Sequence, residues 1–255
     1  MTGIYFSGTG NSKYALELFL KELHAQKNIY SIEEAAAVSA IKSHKVILFS
    51  YPVQFSNVPK IVKDFITANA KLWKGKKVFV IATMGLFSGD GAGMLARMLK
   101  KYGAQVIGGL HVKMPDSIAD EKLLKRTPAK NRKLIADAEQ KIITCARAVK
   151  AGRPPQEGIG FFCQMAGLFG QRLWFSYKVK DYSDRLKINQ AVCIGCGLCA
   201  ENCPMHNIRL VQGKAVPDSR CTMCYRCIQN CPKQAVTLLG RRVIQQGTAD
   251  KYREQ

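Results

Sequence analysis

Acidic side chains are scarce in this chain: 18 Asp and Glu stand against 39 Lys and Arg in 255 residues, a formal net charge of +21. The excess is +16 up to Lys180 and +5 beyond it. Such a surface steers acidic protein partners, or meets the anionic face of a membrane. Nucleic acid is not favoured, because the basic residues are scattered and no recognition motif accompanies them. A phosphate loop ending in Gly-Lys-Ser/Thr is absent, and so is Gly-x-Gly-x-x-Gly, which excludes the two commonest nucleotide cradles. His24, His44 and His111 have no ligand-spaced partners and read as structural. No acid–base pair stands out. Met1 leads straight into an apolar strand with no basic leader, so a cytoplasmic location is expected.

Cysteine, by contrast, is concentrated. Eight of the ten cysteines fall in two copies of one pattern, CIGCGLCAENCP and CTMCYRCIQNCP, 28 positions apart. The first places Cys193, Cys196, Cys199 and Cys203 ahead of Pro204, and the second places Cys221, Cys224, Cys227 and Cys231 ahead of Pro232. Three thiolates at every third residue can hold one face of an iron–sulfur cube, while the fourth, turned away by proline, reaches elsewhere. Zinc is the competing reading, but zinc ribbons set their CxxC pairs apart without a third cysteine three residues on. The pattern therefore predicts two [4Fe–4S] clusters. Their oxygen sensitivity suggests an anaerobic or strongly reducing setting. Cys145 and Cys163 lie outside the repeat, and a disulfide framework is poorly matched to a chain of this size.

Upstream, strand signals alternate with helix signals. Thr2–Phe6 is a short apolar run, followed by SGTGNS at Ser7–Ser12 and then a helix with Tyr14, Leu16, Phe19, Leu20 and Leu23 on a broad apolar face. A Gly/Ser/Thr loop between strand and helix presents backbone N–H groups to an anion at a helix N-terminus. Lys27–Ile32 reads as a weak second strand, and Lys45–Tyr51 and Lys76–Thr83 as strands buried on both faces. Helices are expected over Pro59–Asn69, Met94–Tyr102 and Lys130–Lys150, with a fifth strand over Ala104–Val112. Between them lie Pro52–Pro59 and a glycine-dense loop, Met84–Gly93, of the kind that lets backbone approach a planar ligand.

IYFSGTGNS resembles the phosphate loop of flavodoxins, and the cysteine repeat is similar to a bacterial dicluster ferredoxin. The order of the two resembles flavodoxin–ferredoxin fusion proteins. The resemblance implies a doubly wound parallel five-stranded α/β sheet of order 2-1-3-4-5, over residues 1–151, and a small α+β ferredoxin domain over 187–240. It implies FMN, with the phosphate on Ser7, Thr9, Gly10, Asn11 and Ser12. One flavin-contacting loop would supply Tyr51, Pro52, Val53, Gln54 and Phe55, with Tyr51 or Phe55 stacking on the ring. The other would supply Thr83, Met84, Gly85, Phe87 and Gly91. Ligation is expected to cross between the motifs, Cys193, Cys196, Cys199 and Cys231 holding one cluster and Cys221, Cys224, Cys227 and Cys203 the other.

Gly152-Arg153-Pro154-Pro155 marks an expected boundary, and 152–186 an apolar linker. Within it the charge-free IGFFCQMAGLFG, Ile159–Gly170, has 12 residues, whereas a membrane span needs about 20. Its aromatics and the basic Arg172, Lys178 and Lys180 permit membrane-surface contact, but packing between the domains is favoured. Residues 241–255 form a polar tail. The leading expectation is an electron carrier relaying electrons between low-potential carriers and FMN through the clusters, with an acidic redox protein as partner. The alternatives are an FMN-dependent reductase of a small molecule, with Tyr51, Ser88 and Asp90 in flavin-adjacent loops, and a redox sensor. Arg209, Arg220, Arg226 and Lys233 near the clusters are expected to raise their potentials relative to acidic ferredoxins.

Overall fold

Buried apolar strands that each return through an amphipathic helix can only pair in parallel, and the first 113 residues do so. The computed structural model describes residues 1–25, 28–54, 57–86, 89–117, 126–167, 185–240, 243 and 251. Strands β1 (Thr2–Tyr5), β2 (Ile29–Ser31), β3 (Val46–Pro52), β4 (Lys77–Met84) and β5 (Gln105–Lys113) form one parallel sheet in the order β2-β1-β3-β4-β5. This is the flavodoxin-like strand order.

The strands sort their side chains by period two. Ile47, Phe49 and Tyr51 of β3 and Val78, Val80 and Ala82 of β4 join a core with Ile41 of α2 (Ala35–Ser43), Val62 of α3 (Lys60–Ala68) and Leu95 of α4 (Gly91–Lys101). Leu48, Phe79 and Ile81 join the opposite core with Leu16 and Phe19 of α1 (Asn11–Glu22) and Ile142 of α5 (Pro128–Lys150). Phe19 and Phe79 meet at a ring separation of 5.3 Å. Each such side chain contributes about 1.5–3 kcal/mol by leaving water. Gly3 on β1 lets α1 approach, since a Cβ there would press on Leu16 and Leu20. α5 starts two residues earlier than expected because Thr127 caps it, its Oγ1 accepting from the Lys130 amide at 3.3 Å, with Pro128 in the first turn.

The chain does not leave this unit at Gly152, as the Pro-Pro signal suggests. The Gly109 amide donates to the Pro155 carbonyl at 2.9 Å, and the Glu157 amide to the Gly109 carbonyl at 3.0 Å, extending the sheet edge. Glu157 also accepts from Lys141 at 2.8 Å. The short helix α6 (Phe161–Gly167) follows. Its Phe161 and Phe162 are 68% and 86% exposed, so the described part of the charge-free segment turns its aromatics outward instead of burying them between domains. Residues 168–170 of that segment lie outside the described ones.

The second unit is built from β6 (Lys187–Ile188) paired with β9 (Val236–Thr237), and a hairpin of β7 (Ile208–Val211) with β8 (Lys214–Pro217). Gln212 and Gly213 both take positive φ, 49° and 73°, as a two-residue hairpin turn requires. Two single-turn helices, α7 (Leu198–Glu201) and α8 (Arg226–Asn230), sit inside the two cysteine motifs. Ile188, Ile208, Ala215, Ile228, Val236 and Leu238 form the core between them.

Candidate functional site

β1, β3 and β4 end along one edge of the sheet, where ligands of doubly wound folds bind. After β1, Gly10 takes φ 93° and turns the chain into α1. None of the backbone N–H groups from Ser7 to Ser12 donates to a protein acceptor among the described residues. Ser7, Thr9, Asn11 and Ser12 are nevertheless buried. Buried amides without partners are costly, and a run of them at a helix N-terminus fits an anion. The loop is braced from beneath. Ser50 Oγ donates to the Ser12 carbonyl at 2.8 Å, Ser12 and Thr83 share a hydroxyl hydrogen bond of 2.7 Å, and Asn11 Nδ2 donates to the Pro115 carbonyl at 2.8 Å. Asn11 Oδ1 is buried and unpartnered.

The structure therefore brings Ser7, Thr9, Gly10, Asn11, Ser12 and Thr83 together. It places Tyr51 elsewhere. Tyr51 is fully buried on the inner face of β3 and its hydroxyl donates to the Gly91 carbonyl, so its ring has no free face for stacking. Pro52 and Val53 continue along β4, the Val53 amide donating to the Thr83 carbonyl at 2.8 Å. Gln54 exchanges backbone hydrogen bonds with Asn57. Phe55, Phe87 and Ser88 lie outside the described residues. Met84 ends β4, and the Gly85 carbonyl accepts from Arg126 Nη2 at 3.0 Å while Arg126 Nη1 is buried without a partner. Gly91 opens α4 instead of belonging to a loop, three residues before the expected start. Asp90 is buried and paired with Arg97, and the Ala92 amide donates to His111 Nε2 at 3.0 Å. Burial pushes the His111 imidazole down, opposed by Glu157 and Asp90 and reinforced by Lys141.

The eight motif cysteines line two cavities, each of about 370 Å³ with its open mouth included. Cys193, Cys196, Cys199 and Cys231 line one; Cys203, Cys221, Cys224 and Cys227 line the other. These are the two crossed sets. The backbone repeats as well: Gly195 and Gly197 take φ 70° and 81°, and Met223 and Tyr225, 28 residues on, take 56° and 60°. His206 and Gln234 share positive φ, and the Cys203 and Cys231 sulfurs accept from the Asn207 and Ala235 amides at 3.3 and 3.2 Å. Burial pushes Cys227 well up. Converting it to a thiolate in that setting requires a compensating cation, which fits iron.

The two motifs are used differently. Gln54 Nε2 donates to the Met223 carbonyl at 3.0 Å, the Ile61 amide to Thr222 Oγ1 at 3.3 Å, and Gln229 Nε2 to the Ser117 carbonyl at 2.7 Å. Arg226 binds Glu33 with both nitrogens, at 2.7 and 2.6 Å, and donates to the Ser7 carbonyl at 2.9 Å. Gly8 lies so close to the Cys224 carbonyl that a Cβ would overlap it. Every one of these contacts belongs to residues 222–229, so the second motif covers the Ser7–Ser12 loop. Sequence reasoning missed this seam. Its one available signal was Arg226, which stands where the first copy has Leu198. The pairing with Glu33 also opposes the positive charge expected to act on the cluster, and Asp218 does the same to Arg209 at 2.9 Å.

A family described as a 4Fe-4S dicluster domain matches residues 192–235. The chain is similar to a flavodoxin from Megasphaera elsdenii, 33% identical over 132 residues, which are 50% of this chain and 96% of that protein. Among solved structures, the two-electron reduced Megasphaera elsdenii flavodoxin is 30% identical with a TM-score of 0.41, covering 46% of this chain and 89% of its own. Oxidised Flavodoxin 2 from Bacillus cereus is 17% identical with a TM-score of 0.44, covering 59% and 97%. No described helix is long and apolar enough to cross a membrane.

Proposed function

The chain belongs to the flavodoxin family and carries a 4Fe-4S dicluster domain behind its flavodoxin unit, and from that premise we propose that it relays electrons between one-electron carriers and FMN through two [4Fe–4S] clusters. When bound, FMN supplies a centre that takes one or two electrons, and each cluster one that takes a single electron. The residues fit these groups. The partnerless amides of Ser7–Ser12, with the hydroxyls of Ser7 and Thr9, would hold the FMN phosphate. Cys193, Cys196, Cys199 and Cys231 would hold one cluster, and Cys203, Cys221, Cys224 and Cys227 the other.

One observation carries the relay: the second cysteine set lies directly against the phosphate loop, with Cys224 at Gly8 and Arg226 on Ser7. A diffusing ferredoxin would meet a flavodoxin only transiently, whereas here the two sites are fixed by charge and hydrogen bonds. Arg226 and Glu33 orient the second unit, and Gln54, Thr222 and Gln229 set its register on the sheet edge. Anoxic purification with iron, sulfide and flavin analysis is the test. The expected content is about eight iron, eight sulfide and one FMN per chain. A preparation holding zinc, with no labile sulfide and no flavin, would overturn the reading.

A further inference from the structure

The 28-residue repeat gives the second unit two equivalent faces, and only one is used internally. In the second copy, Thr222, Met223 and Arg226 form the face that seats on the flavodoxin unit. The corresponding residues of the first copy are Ile194, Gly195 and Leu198. Among the described residues, no hydrogen bond links 187–217 to residues 1–160. Ile194 is 58% exposed, and Leu198 and Cys196 are exposed beside it. The β7–β8 hairpin widens this surface: Gly213 abuts Gly195, Leu210 lies 3.7 Å from where a Gly197 Cβ would stand, and Leu210 and Val211 are exposed. The result is a continuous apolar collar around the mouth of the first cysteine cavity. Lys233, which lines the cavity, and Lys214, whose Nζ donates to the Cys193 carbonyl, flank it, and residues 185–240 hold seven Lys and Arg against two Asp and Glu.

We propose that this collar is the docking face for a small acidic one-electron carrier, and that the cysteine set at Cys193 is the outer member of the relay. The inference rests on the relay reading above. A docked reduced carrier would give up one electron and be oxidised; Cys193, Cys196, Cys199 and Cys231 would hold the cluster that accepts it, and Cys203, Cys221, Cys224 and Cys227, beside Gly8, the cluster that would take it onward. Charge selects the occupant. An acidic carrier complements the flanking lysines, whereas a second copy of this chain, at +21, would be repelled.

The test uses the anoxic full-length holoprotein with a small acidic dicluster ferredoxin as probe. Ile194→Glu and Leu210→Glu place a carboxylate in the collar, and the second stands outside the cysteine run, so cluster content is not at stake. Both should weaken ferredoxin binding at low salt, read by calorimetry, by at least about tenfold. Both should slow cluster bleaching by ferredoxin by a similar factor, and L210E should leave bleaching by dithionite unchanged. Phe162→Glu, on the separate exposed aromatic pair, should change neither. Binding that is indifferent to L210E, or lost instead in F162E, would overturn the proposal. So would self-association abolished by L210E, which would assign the face to a second copy. Ferredoxin binding that is sensitive to L210E but brings no electron uptake would keep the face and overturn the relay.

Discussion

Removing the guanidinium of Arg226 should loosen the seam between the two units without unfolding either. The pair with Glu33 has contacts of 2.7 and 2.6 Å, and its side chains are only 19% and 26% exposed. An exposed ion pair contributes about 0–1 kcal/mol, and deleting one partner of a buried pair costs about 3–5 kcal/mol. With roughly a fifth of one side chain and a quarter of the other in water, and the Ser7 and Asn202 carbonyls also holding the guanidinium, Arg226→Ala should cost about 2–3 kcal/mol of docking energy. The Ile61 amide is a direct reporter. It lies in the first turn of α3, where no intrahelical acceptor exists, and its partner is Thr222 across the seam. Its hydrogen exchange in the holoprotein should accelerate roughly 30- to 150-fold in the variant, since about 1.4 kcal/mol is tenfold. A double-mutant cycle with Glu33→Ala should return a coupling of about 1.5–2.5 kcal/mol. Unchanged exchange at Ile61, or a coupling below about 0.5 kcal/mol, would show that the pair is a solvated contact and not a latch.

Gly8→Ala should separate the units by sterics alone, because the new Cβ meets the Cys224 carbonyl; the expected result is reduction of the flavin through the clusters slowed by at least about tenfold, with the cluster spectra intact. Gly195→Ala acts on the outer site, where φ is 70° and a Cβ would overlap the Gly213 carbonyl. Iron should fall from about eight to about four per chain while flavin content holds, and full iron retention would contradict the strain argument. His111 sets a pH dependence. Its folded pKa is depressed by burial below the ordinary 6.5, and protonation would turn Nε2 from acceptor to donor against the Ala92 amide. The unfolded chain therefore binds the proton first, so this contribution is complete above pH 6.5 and is lost as pH falls through the folded value. Urea unfolding of wild type against His111→Gln, between pH 7 and 5, should show a slope of up to about 1.4 kcal/mol per pH unit in the wild type alone.

The sheet was legible because its central strands are almost wholly apolar: β3 and β4 carry Ile47, Leu48, Phe49, Val78, Phe79, Val80 and Ile81, all fully buried. The cysteine spacing was equally direct, since ligation chemistry dictates it. Tyr51 faces the core and not a flavin, and its register says why: period two from Ile47 and Phe49 carries it to the same inner face, although it stands next to a loop. The start of α4 defied propensity. Gly91-Ala92-Gly93 is a poor opening for a helix, and it is held by tertiary partners, Tyr51 on the Gly91 carbonyl and His111 on the Ala92 amide. Arg226 and Glu33 are 193 residues apart, and no local pattern couples them. Phe161 and Phe162 show that absence of charge does not dictate burial, since both rings face outward.

The strain in the second motif explains why two copies of one pattern diverged. Both copies need two residues at positive φ to wrap the cysteines, and the first uses Gly195 and Gly197, for which that conformation is free. The second uses Met223 and Tyr225, each at a cost of about 1–2 kcal/mol. Their side chains are 7% and 4% exposed, and burial of that kind contributes about 1.5–3 kcal/mol apiece, so the exchange is favourable only where there is something to bury against. In the second copy there is: Met223 and Tyr225 enter the core of the second unit, and at the seam the Met223 carbonyl is held by Gln54. On the outer copy a Cβ at Gly195 would overlap the Gly213 carbonyl, and the side chain nearest to a Cβ at Gly197 is the exposed Leu210. The glycines thus mark the copy whose face is left open, and the strained residues mark the copy that is docked.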